Sequence, residues 1–401
     1  MNILMHVDFN AFFASVEQQA NPFLRNRAIG VGGKSDKPSV VTTASYKAKN
    51  RGVKTAMSVW EAQRICPELL MVNGDPRKYS QMTDRLLAIL ERYASRVAQT
   101  SIDEAYIDVT DAAQDWMGAV GIALCIRQAV AKEIGPHVGV SIGIASNTLV
   151  AKMASGAEKP NGLTLVRPED QEAFLDTRSL ADIPGIGPRI VRRLKGLGIF
   201  SVLQLRTYPL PTLIHHFKQY GTFLYTAARG QGQTEVYEDT GPPKSISHCY
   251  TLPHHDRDIA TVRATYVLLC ENVAWRLRKH QLSARACVIT LRSDALTFTS
   301  HHRILDALTQ DGLTLFHEAW PIVAAQHEQG PVRLIGITAI QLVTAHTQQP
   351  TEQKQQKRTR LLPALDTLRR RYGTDAWKPL SALSSTPLHE RASGFHFDHQ
   401  I

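Results

Sequence analysis

The chain has 401 residues, of which 43% are hydrophobic and 20% charged, a composition typical of a globular protein with roughly two to four domains. Its formal net charge of +10 favours a polyanionic partner. The five cysteines are scattered without C-x-x-C spacing, which argues against a disulfide framework or a structural zinc and for a reducing compartment. The first apolar run is interrupted at Asp8, unlike a signal peptide, and no apolar stretch approaches the length of a membrane span. We therefore expect a cytoplasmic protein.

Strands alternate with helices up to about residue 166, which indicates an α/β domain. A Gly/Pro-rich segment of roughly 20–77 interrupts this order and is predicted to be an insertion. In chain order the other predicted elements are a strand ending at Asp8, a helix over 11–17, a helix over 79–97, strands that end at Ile102 and restart at Ala105, a helix over 122–134 and a strand over 138–144.

The character of the sequence changes at about residue 167, where short helices without a strand pattern begin. The polar segment 233–245 contains Gly and Pro and is predicted to be a linker. A second α/β unit follows it, with a long helix over 259–277 and strands over 286–291 and 334–340. The tail from about 346 begins with a Gln/Lys/Arg-rich run that we expect to be disordered, and a short helix is predicted over 361–372.

Three acidic residues, Asp8, Asp103 and Glu104, lie at the ends of predicted strands. Because adjacent residues of a strand point to opposite faces, Asp103 and Glu104 converge only if the backbone turns there. Three carboxylates form a cage of hard oxygen ligands that suits Mg²⁺ rather than zinc. Two magnesium ions in it would activate an attacking hydroxyl and neutralise a leaving phosphate. Taken alone, the Asp-Glu pair is more often a solvated turn, so other motifs must decide.

The strand that ends at Asp8 leads directly into a helix that carries Phe12 and Phe13. Adjacent helical positions point about 100° apart, so both rings are not expected to pack into one core. One of the two rings is therefore predicted to face a pocket.

Two segments offer groups that bind phosphate. The hydroxyls of Thr43 and Tyr46 and the ammonium group of Lys49 can clamp a triphosphate, and Tyr46 and Lys49 share a helix face. A charged, solvated helix would have the same composition. Lys159 lies at a Pro-Asn-Gly turn over 160–162, from which it can reach a phosphate.

The segment 183–194 places a Pro-Gly-Ile-Gly-Pro turn before a basic helix. Such a turn directs free backbone N–H groups outward, near Gly185 and Gly187, where they can bind a phosphate. Arg189 follows within the helix. This pattern is typical of a helix-hairpin-helix that contacts the DNA backbone without reading bases, although a purely structural turn is the alternative.

Together and in this order, the motifs resemble those of the Y-family (translesion) DNA polymerases, with a layout closest to the bacterial DinB-type branch. The resemblance covers about residues 1–345. It rests on D-F-N-A-F-F at 8–13, T-A-S-Y-K-A at 43–48, S-I-D-E-A-Y at 101–106, K-P-N-G at 159–162 and I-P-G-I-G at 183–187.

The resemblance implies a multidomain α/β fold of the right-hand polymerase type. It divides the chain into a ferredoxin-like palm (1–19 and 78–166), small fingers (20–77), a helical thumb with the helix-hairpin-helix (167–232), a linker (233–245), an α/β little finger (246–345) and a partly disordered tail (346–401). The tail resembles that of UmuC-type members.

The resemblance also assigns roles to individual residues. Asp8, Asp103 and Glu104 match the catalytic acids, which hold two Mg²⁺ ions (Mn²⁺ can substitute) together with the backbone carbonyl of Phe9. Phe13 matches the steric gate, which excludes a ribose hydroxyl. The other residues expected at the incoming deoxynucleoside triphosphate (dNTP) are Phe12, Thr43, Tyr46, Lys49 and Lys159, and those expected at DNA are Gly185, Gly187, Arg189 and Arg333.

Two positions depart from the family pattern. Asn10 stands where an acid is common, but that acid is not a principal metal ligand. Lys49 stands where arginine is common, so it keeps the charge but loses the bidentate geometry of a guanidinium. The partners implied are primer-template DNA and a dNTP, for a monomeric enzyme. A sliding clamp is a further partner for which the tail shows no clean binding motif.

The function predicted from the sequence is template-directed DNA synthesis of low fidelity and without proofreading, in DNA damage tolerance and mutagenesis. Palm, fingers, thumb and little finger use up the chain, which leaves no room for an exonuclease domain. The alternatives are an inactive family member that acts as a scaffold on DNA, a nuclease or nucleotidyl cyclase with a similar two-metal site, and a basic DNA-binding protein without activity. The last explains the charge but not the ordered acids.

Overall fold

The computed structural model describes residues 2–33, 39–237, 241–253, 257–345, 353–373, 376–385 and 388, with only the backbone described for 353–359. The chain divides into two compact units, with the boundary between Asp239 and Thr240. The boundary falls within the predicted linker. Residues 238–240 of that linker lie outside the described part of the chain.

In its described part, unit 1 contains a five-stranded sheet, a three-stranded sheet and a helical region. Its elements in chain order are β1 (Leu4–Phe9), α1 (Phe12–Ala20), β2 (Ile29–Gly32), β3 (Val41–Ala44), α2 (Tyr46–Lys49), α3 (Val59–Ile65), β4 (Leu70–Asn73), α4 (Pro76–Leu90), β5 (Arg96–Gln99), β6 (Glu104–Asp108), α5 (Thr110–Ala113), α6 (Trp116–Ala129), β7 (Val140–Ala145), α7 (Thr148–Ala157), β8 (Leu163–Leu165), α8 (Gln171–Asp176), α9 (Pro188–Gly196), α10 (Val202–Thr207), α11 (Leu210–Phe217) and α12 (Gln219–Ala227).

The five-stranded sheet has the order β5-β6-β1-β7-β8, so β1 is its central strand. β1 pairs antiparallel with both β6 and β7. Met5, Val7 and Phe9 point into the main hydrophobic core, which α1, α4 and α6 complete. Because side chains alternate along a strand, His6 and Asp8 lie on the opposite face. On that face α7 packs against β1 and β7.

The segment between α1 and α4 forms the three-stranded sheet, in the order β3-β2-β4. It has a small core of its own, which includes Val41, Ala48 and Ala62. The residues after 167 form the short helices α8 to α12 around a third core, as the sequence predicts.

Over its described residues, unit 2 is a four-stranded antiparallel sheet in the order β11-β10-β12-β9, against which α13 (Ile259–Lys279) and α14 (Gly312–Glu328) pack. The predicted helix over 259–277 and the predicted strands over 286–291 and 334–340 are all confirmed. The elements are β9 (Ile246–Thr251), α13 (Ile259–Lys279), β10 (Leu282–Ser293), β11 (Phe298–Thr309), α14 (Gly312–Glu328), β12 (Val332–Thr344) and α15 (Gln353–Tyr372).

The C-terminal helix α15 is anchored to α13 by a buried ionic network. The guanidinium of Arg278 donates to both carboxylate oxygens of Asp366, from Nε at 2.7 Å and from Nη2 at 2.8 Å. Arg278 also donates to Glu271 at 2.8 Å. The side chain of Arg369 is fully buried, with its guanidinium 4.5 Å from the ring centre of Trp377. These contacts join the tail to the second unit.

The expected disorder of the Gln/Lys/Arg-rich run is wrong from Gln353 onward, because the backbone is helical from there to Tyr372. Gln, Lys and Arg are good helix formers, and the run continues a helix that Asp366 and Arg369 fix to α13 through Arg278, Glu271 and Trp275. The predicted helix over 361–372 is confirmed. Residues 346–352 and 391–401 lie outside the described residues.

None of the described helices is long and apolar enough to cross a membrane. The 21-residue α13 has sufficient length, but it carries Arg263, Glu271 and Arg276 within its span. Cys66, Cys270 and Cys287 are buried and form no disulfide.

Candidate metal centre and phosphate clamp

The three predicted acids lie at one end of β1 and β6. Asp8 is the direct cross-strand partner of Glu104, so the two carboxylates lie on the same face of the sheet. Asp103 precedes β6, and its carbonyl accepts a 2.9 Å hydrogen bond from the Phe9 amide. The amides of Thr100 and Ser101 both donate to the Glu104 carbonyl, which closes a tight turn. The turn predicted between the two acids is therefore present.

The electrostatic environments of Asp103 and Glu104 differ. Burial raises the pKa of Asp103, and the charges of Asp8 and Glu104 raise it further, against a hydrogen bond from the Ser101 hydroxyl. Burial also opposes ionisation of Glu104, but His6 and Lys152 outweigh it and lower the pKa of Glu104 to about 2. The ammonium of Lys152 lies 2.5 Å from Oε1 of Glu104. Glu104 is thus held as a carboxylate.

These residues fit a divalent cation. Carboxylate oxygens are the ligands that hard cations prefer, and the acids raise the pKa of Asp103 by mutual repulsion, which a bound cation relieves. Among the described residues, the group whose ligand atoms all lie within 4.8 Å of one another consists of His6, Asp8 and Glu104. Asp103 is adjacent to this group rather than a member of it.

The sequence reading missed His6 and Lys152. His6 is fully buried, and its Nε2 lies 3.4 Å from Oε2 of Glu104. The strand period was the available signal for His6, since it lies two residues before Asp8 and therefore on the same face. No local signal identifies Lys152, which reaches Glu104 from α7.

Tyr46, Lys49 and Lys159 converge on Asp8. The ammonium of Lys159 lies 2.6 Å from Oδ2 of Asp8, and that of Lys49 lies 4.9 Å from the ring centre of Tyr46. Burial and the charge of Lys159 lower the pKa of Lys49, while burial and the charge of Asp8 raise the pKa of Tyr46 to about 12. Thr43 lies half-buried on β3, directly before the helix that carries Tyr46 and Lys49.

Asn10, the departure from the family pattern, connects these parts. Its Nδ2 donates to Oδ1 of Asn161 at 2.8 Å, within the turn that follows Lys159. Its Oδ1 accepts a 2.7 Å bond from the Ser141 hydroxyl and a longer bond of 3.5 Å from the Tyr46 hydroxyl. An amide both donates and accepts, so Asn10 donates to Asn161 while it accepts from Ser141 and Tyr46, whereas a carboxylate could only accept.

Phe12 and Phe13 both belong to the main core, with 2% and 8% exposed, so the expectation that they do not pack into one core is wrong. That one of them borders a pocket stays a prediction. They pack against different partners. Phe12 stacks on Phe9 of β1, with 4.6 Å between ring centres, and Phe13 stacks on Tyr79 of α4, with 4.3 Å. The core surrounds the N-terminal turn of α1 on two sides, which accommodates rings that point about 100° apart.

The Pro-Gly-Ile-Gly-Pro segment forms a turn before α9. Gly185 has a φ of +95°, and a side chain there would lie 2.9 Å from the ring of Phe223, so glycine is required on two grounds. Gly187 is the exposed N-cap of α9, and Arg189 is exposed on the first turn. The element before the turn is a short 3-10 segment, Leu180–Asp182.

Arg333, the remaining predicted DNA contact, is in unit 2 on β12. Its backbone carbonyl accepts a 2.8 Å bond from the Leu252 amide, and the residue is half-buried. All other predicted site residues lie in unit 1.

Comparison with known proteins identifies the family. Two family models match, "impB/mucB/samB family" over residues 7–156 and "impB/mucB/samB family C-terminal domain" over residues 243–356. DNA polymerase IV of Streptococcus pneumoniae serotype 2 (strain D39) is 34% identical over 340 residues, which cover 84% of this chain and 95% of the relative. DNA polymerase IV of Desulfatibacillum aliphaticivorans is 31% identical over 397 residues, which cover 97% of this chain and 98% of the relative.

Solved structures with a similar fold are Y-family polymerases. The "Y-family DNA polymerase chimera Dbh-Dpo4(243-245)-Dbh" is 26% identical and has a TM-score of 0.75. The match covers 85% of this chain and 99% of the chimera. The "Insertion ternary complex of Dbh DNA polymerase" is 25% identical with the same coverage and a TM-score of 0.58. The fold is that of a mixed α/β, metal-dependent nucleotide-polymerising enzyme. The chain belongs to the impB/mucB/samB family of Y-family DNA polymerases and is a DNA-directed DNA polymerase.

Proposed function

We propose that this polymerase extends a primer across damaged template positions by transferring a nucleotidyl group from a dNTP to the primer 3′-hydroxyl. One observation carries the proposal: the carboxylates of Asp8 and Glu104 face each other across β1 and β6, and Tyr46, Lys49 and Lys159 converge on Asp8. Acids that bind metal and cations that bind phosphate are thereby held at one place.

Asp8, Asp103 and Glu104, with the carbonyl of Phe9, would hold two Mg²⁺ ions, for which Mn²⁺ can substitute. When bound, the ions lower the pKa of the attacking hydroxyl and stabilise charge on the leaving phosphate. The chain's own contribution is to keep the ligands ionised and in place. Lys152 and His6 do this for Glu104, and the amide of Phe9 fixes the turn at Asp103.

The triphosphate of the incoming dNTP would lie against Thr43, Tyr46, Lys49 and Lys159. In this arrangement Lys159 exchanges its ion pair with Asp8 for a phosphate oxygen. The hydrogen bonds of Asn10 hold Tyr46 and the turn after Lys159 in fixed positions relative to each other. Because Lys49 presents a single ammonium group, its phosphate contact is a point charge rather than a bidentate pair.

We assign the remaining parts by the same argument. The five-stranded sheet with its helices is the palm, the three-stranded sheet the fingers, the helices after 167 the thumb, and unit 2 the little finger. Gly185, Gly187 and Arg189 of the thumb and Arg333 of the little finger would contact the DNA backbone. Low-fidelity synthesis without proofreading, by a monomer, is part of this proposal, and a sliding clamp is a further candidate partner.

The test is extension of a labelled primer on an undamaged and on an abasic template, with Mg²⁺ and single dNTPs. We expect template-directed addition on both templates and release of one pyrophosphate per nucleotide added. A shortened primer would indicate a nuclease. Binding of DNA without extension, in a folded protein, would contradict the proposal.

Sugar selection provides a separate prediction. The ring of Phe13 is fixed between Phe12 and Tyr79, and the Tyr79 hydroxyl donates to Glu17 at 2.8 Å, so the ring forms a rigid wall. Phe13→Val should lower the preference for dNTP over ribonucleotide, as the ratio of kcat/KM values, by about 10- to 100-fold. Single-nucleotide addition kinetics measure this ratio. Phe13→Tyr, which keeps the ring, is the control, and an unchanged ratio in Phe13→Val would remove Phe13 from this role.

A further inference from the structure

A cavity of about 360 Å³ lies beside α2, next to the phosphate clamp but outside it. It is bounded by the C-terminal part of α1, the connection from α1 to β2, the start of α2 and the loop before β7. Its volume lies within the range of about 300–1,000 Å³ that is typical of cavities for small molecules.

The cavity is lined by cations. Arg25, Arg27 and Lys47 contribute three positive charges, and His137 adds an imidazole. None of the lining residues is acidic, and in the described part of the chain none of the three cations lies within salt-bridge distance of a carboxylate. Positive charge that is not compensated, at a concave surface, attracts a small anion.

The backbone of the connection from α1 to β2 does not oppose an anion. The carbonyl of Leu24 accepts a 3.1 Å bond from Nε2 of Gln18. The carbonyl of Asn26 accepts a 2.9 Å bond from Nζ of Lys47. An ammonium group has three N–H donors, so Lys47 retains two for a ligand. An anion in the cavity therefore meets donors rather than unpaired carbonyl oxygens.

The guanidinium of Arg25 is fixed by the end of α1. Its Nε donates to the Gln18 carbonyl at 3.1 Å, and its Nη2 donates to the Gln19 carbonyl at 3.3 Å. A guanidinium has five N–H donors, so three of them remain. Arg27 is exposed and, among the described residues, its side chain makes no hydrogen bond. Its guanidinium can therefore form the bidentate contact that suits a phosphate.

The orientation of α2 separates this cavity from the clamp. Adjacent helical residues point about 100° apart, whereas residues three apart share a face. Lys47 therefore points away from the face that Tyr46 and Lys49 share. Tyr46 contacts both places, because its hydroxyl lies 3.5 Å from Oδ1 of Asn10 and the residue also lines the cavity.

We propose that this cavity is a second phosphate site, which takes a diphosphate group, either as free pyrophosphate or as the end of a nucleoside diphosphate. Three cations around one cavity match a small ligand with several negative charges. A nucleic-acid backbone instead requires an extended basic groove, so a small ligand is favoured. The DNA synthesis proposed above would release pyrophosphate, but binding to the cavity does not depend on that reaction.

The test is titration calorimetry of the full chain with pyrophosphate, without metal ion, DNA or dNTP, in about 0.15 M salt to screen weak surface contacts. We expect two pyrophosphate ions per wild-type chain, one at the clamp and one in the cavity. Arg27→Ala and Lys47→Ala should each weaken the cavity site by about tenfold or more, since each removes a charged hydrogen bond. Lys54→Ala, at an exposed lysine of the same segment that does not line the cavity, is the control and should bind as wild type.

Lys159→Ala separates the two sites, because Lys159 belongs to the clamp and not to the cavity. It should weaken one site and leave the site that depends on Arg27 unchanged. Pyrophosphate binding that responds to Lys159→Ala but not to Arg27→Ala, in variants with an unchanged circular dichroism spectrum, would overturn the cavity site. The reverse pattern would contradict the clamp and support the cavity site.

Titration with deoxycytidine diphosphate distinguishes the two sources of the group. Binding that depends on Arg27 for pyrophosphate alone assigns the cavity to the free ion, and equal or tighter binding of the nucleotide assigns it to a nucleoside diphosphate. Absence of such binding for both ligands overturns the proposal. Displacement of the bound pyrophosphate by a lower concentration of a single-stranded oligonucleotide would also overturn it, because the cavity would then be part of a nucleic-acid surface.

Discussion

Asp103→Asn is expected to lower kcat/KM for primer extension by about 10³-fold or more. Metal ligation contributes several kcal/mol of charge stabilisation in the transition state, and each 1.36 kcal/mol corresponds to about a tenfold change in rate. The amide is equal in size to the carboxylate, and the backbone bond between Phe9 and Asp103 does not depend on the side chain. The effect should therefore be one of charge rather than of folding.

Single-turnover extension at saturating DNA measures this loss, and gel-shift binding of primer-template DNA should remain unchanged. Asp111→Asn, an exposed acid of α5 in the same unit, is the matched control and should retain full activity. If Asp103→Asn kept activity within about tenfold of wild type, Asp103 would not be a metal ligand.

Asp366→Ala is expected to destabilise unit 2 by about 3–5 kcal/mol. Removal of Asp366 takes one of two carboxylates from a buried network, so that Glu271 alone faces the guanidinium groups of Arg278 and Arg369. The guanidinium of Arg278 would lose both of its bonds to Asp366 while it remains buried beside Glu271. Since Asp366 lies on α15, the loss would also release the C-terminal helix from α13.

Urea unfolding of the full chain, followed by tryptophan fluorescence, measures the change through Trp275 and Trp377, which both lie near Arg369. Arg370→Ala, at an exposed position of the same helix, should stay within about 0.5 kcal/mol of wild type. Primer extension at low temperature should be retained by Asp366→Ala, because the network lies outside unit 1. An unchanged unfolding midpoint would show that α15 is not fixed to unit 2 by this pair.

Much of the fold followed from local patterns. The apolar run before Asp8, the period of the helix over 259–277 and the turn residues at 183–188 each produce their element with little help from distant contacts, since strand alternation, helix period and turn chemistry are local properties. The turn at Asp103 could be predicted for the same reason. The helical start of α15 at Gln353 was missed, because composition alone does not reveal that the residues after 361 pack against α13.

The sequence by itself determined that two carboxylates lie at the end of a strand, that a third follows a turn, and that basic and hydroxyl groups are available for phosphate. Only the tertiary structure decided which side chains support them. His6 meets Ser155 across 149 positions and Asn10 meets Asn161 across 151. These contacts form because α7 and the turn that follows it pack beside β1. Helix and strand periods describe only residues that are close in sequence, so they do not predict such contacts.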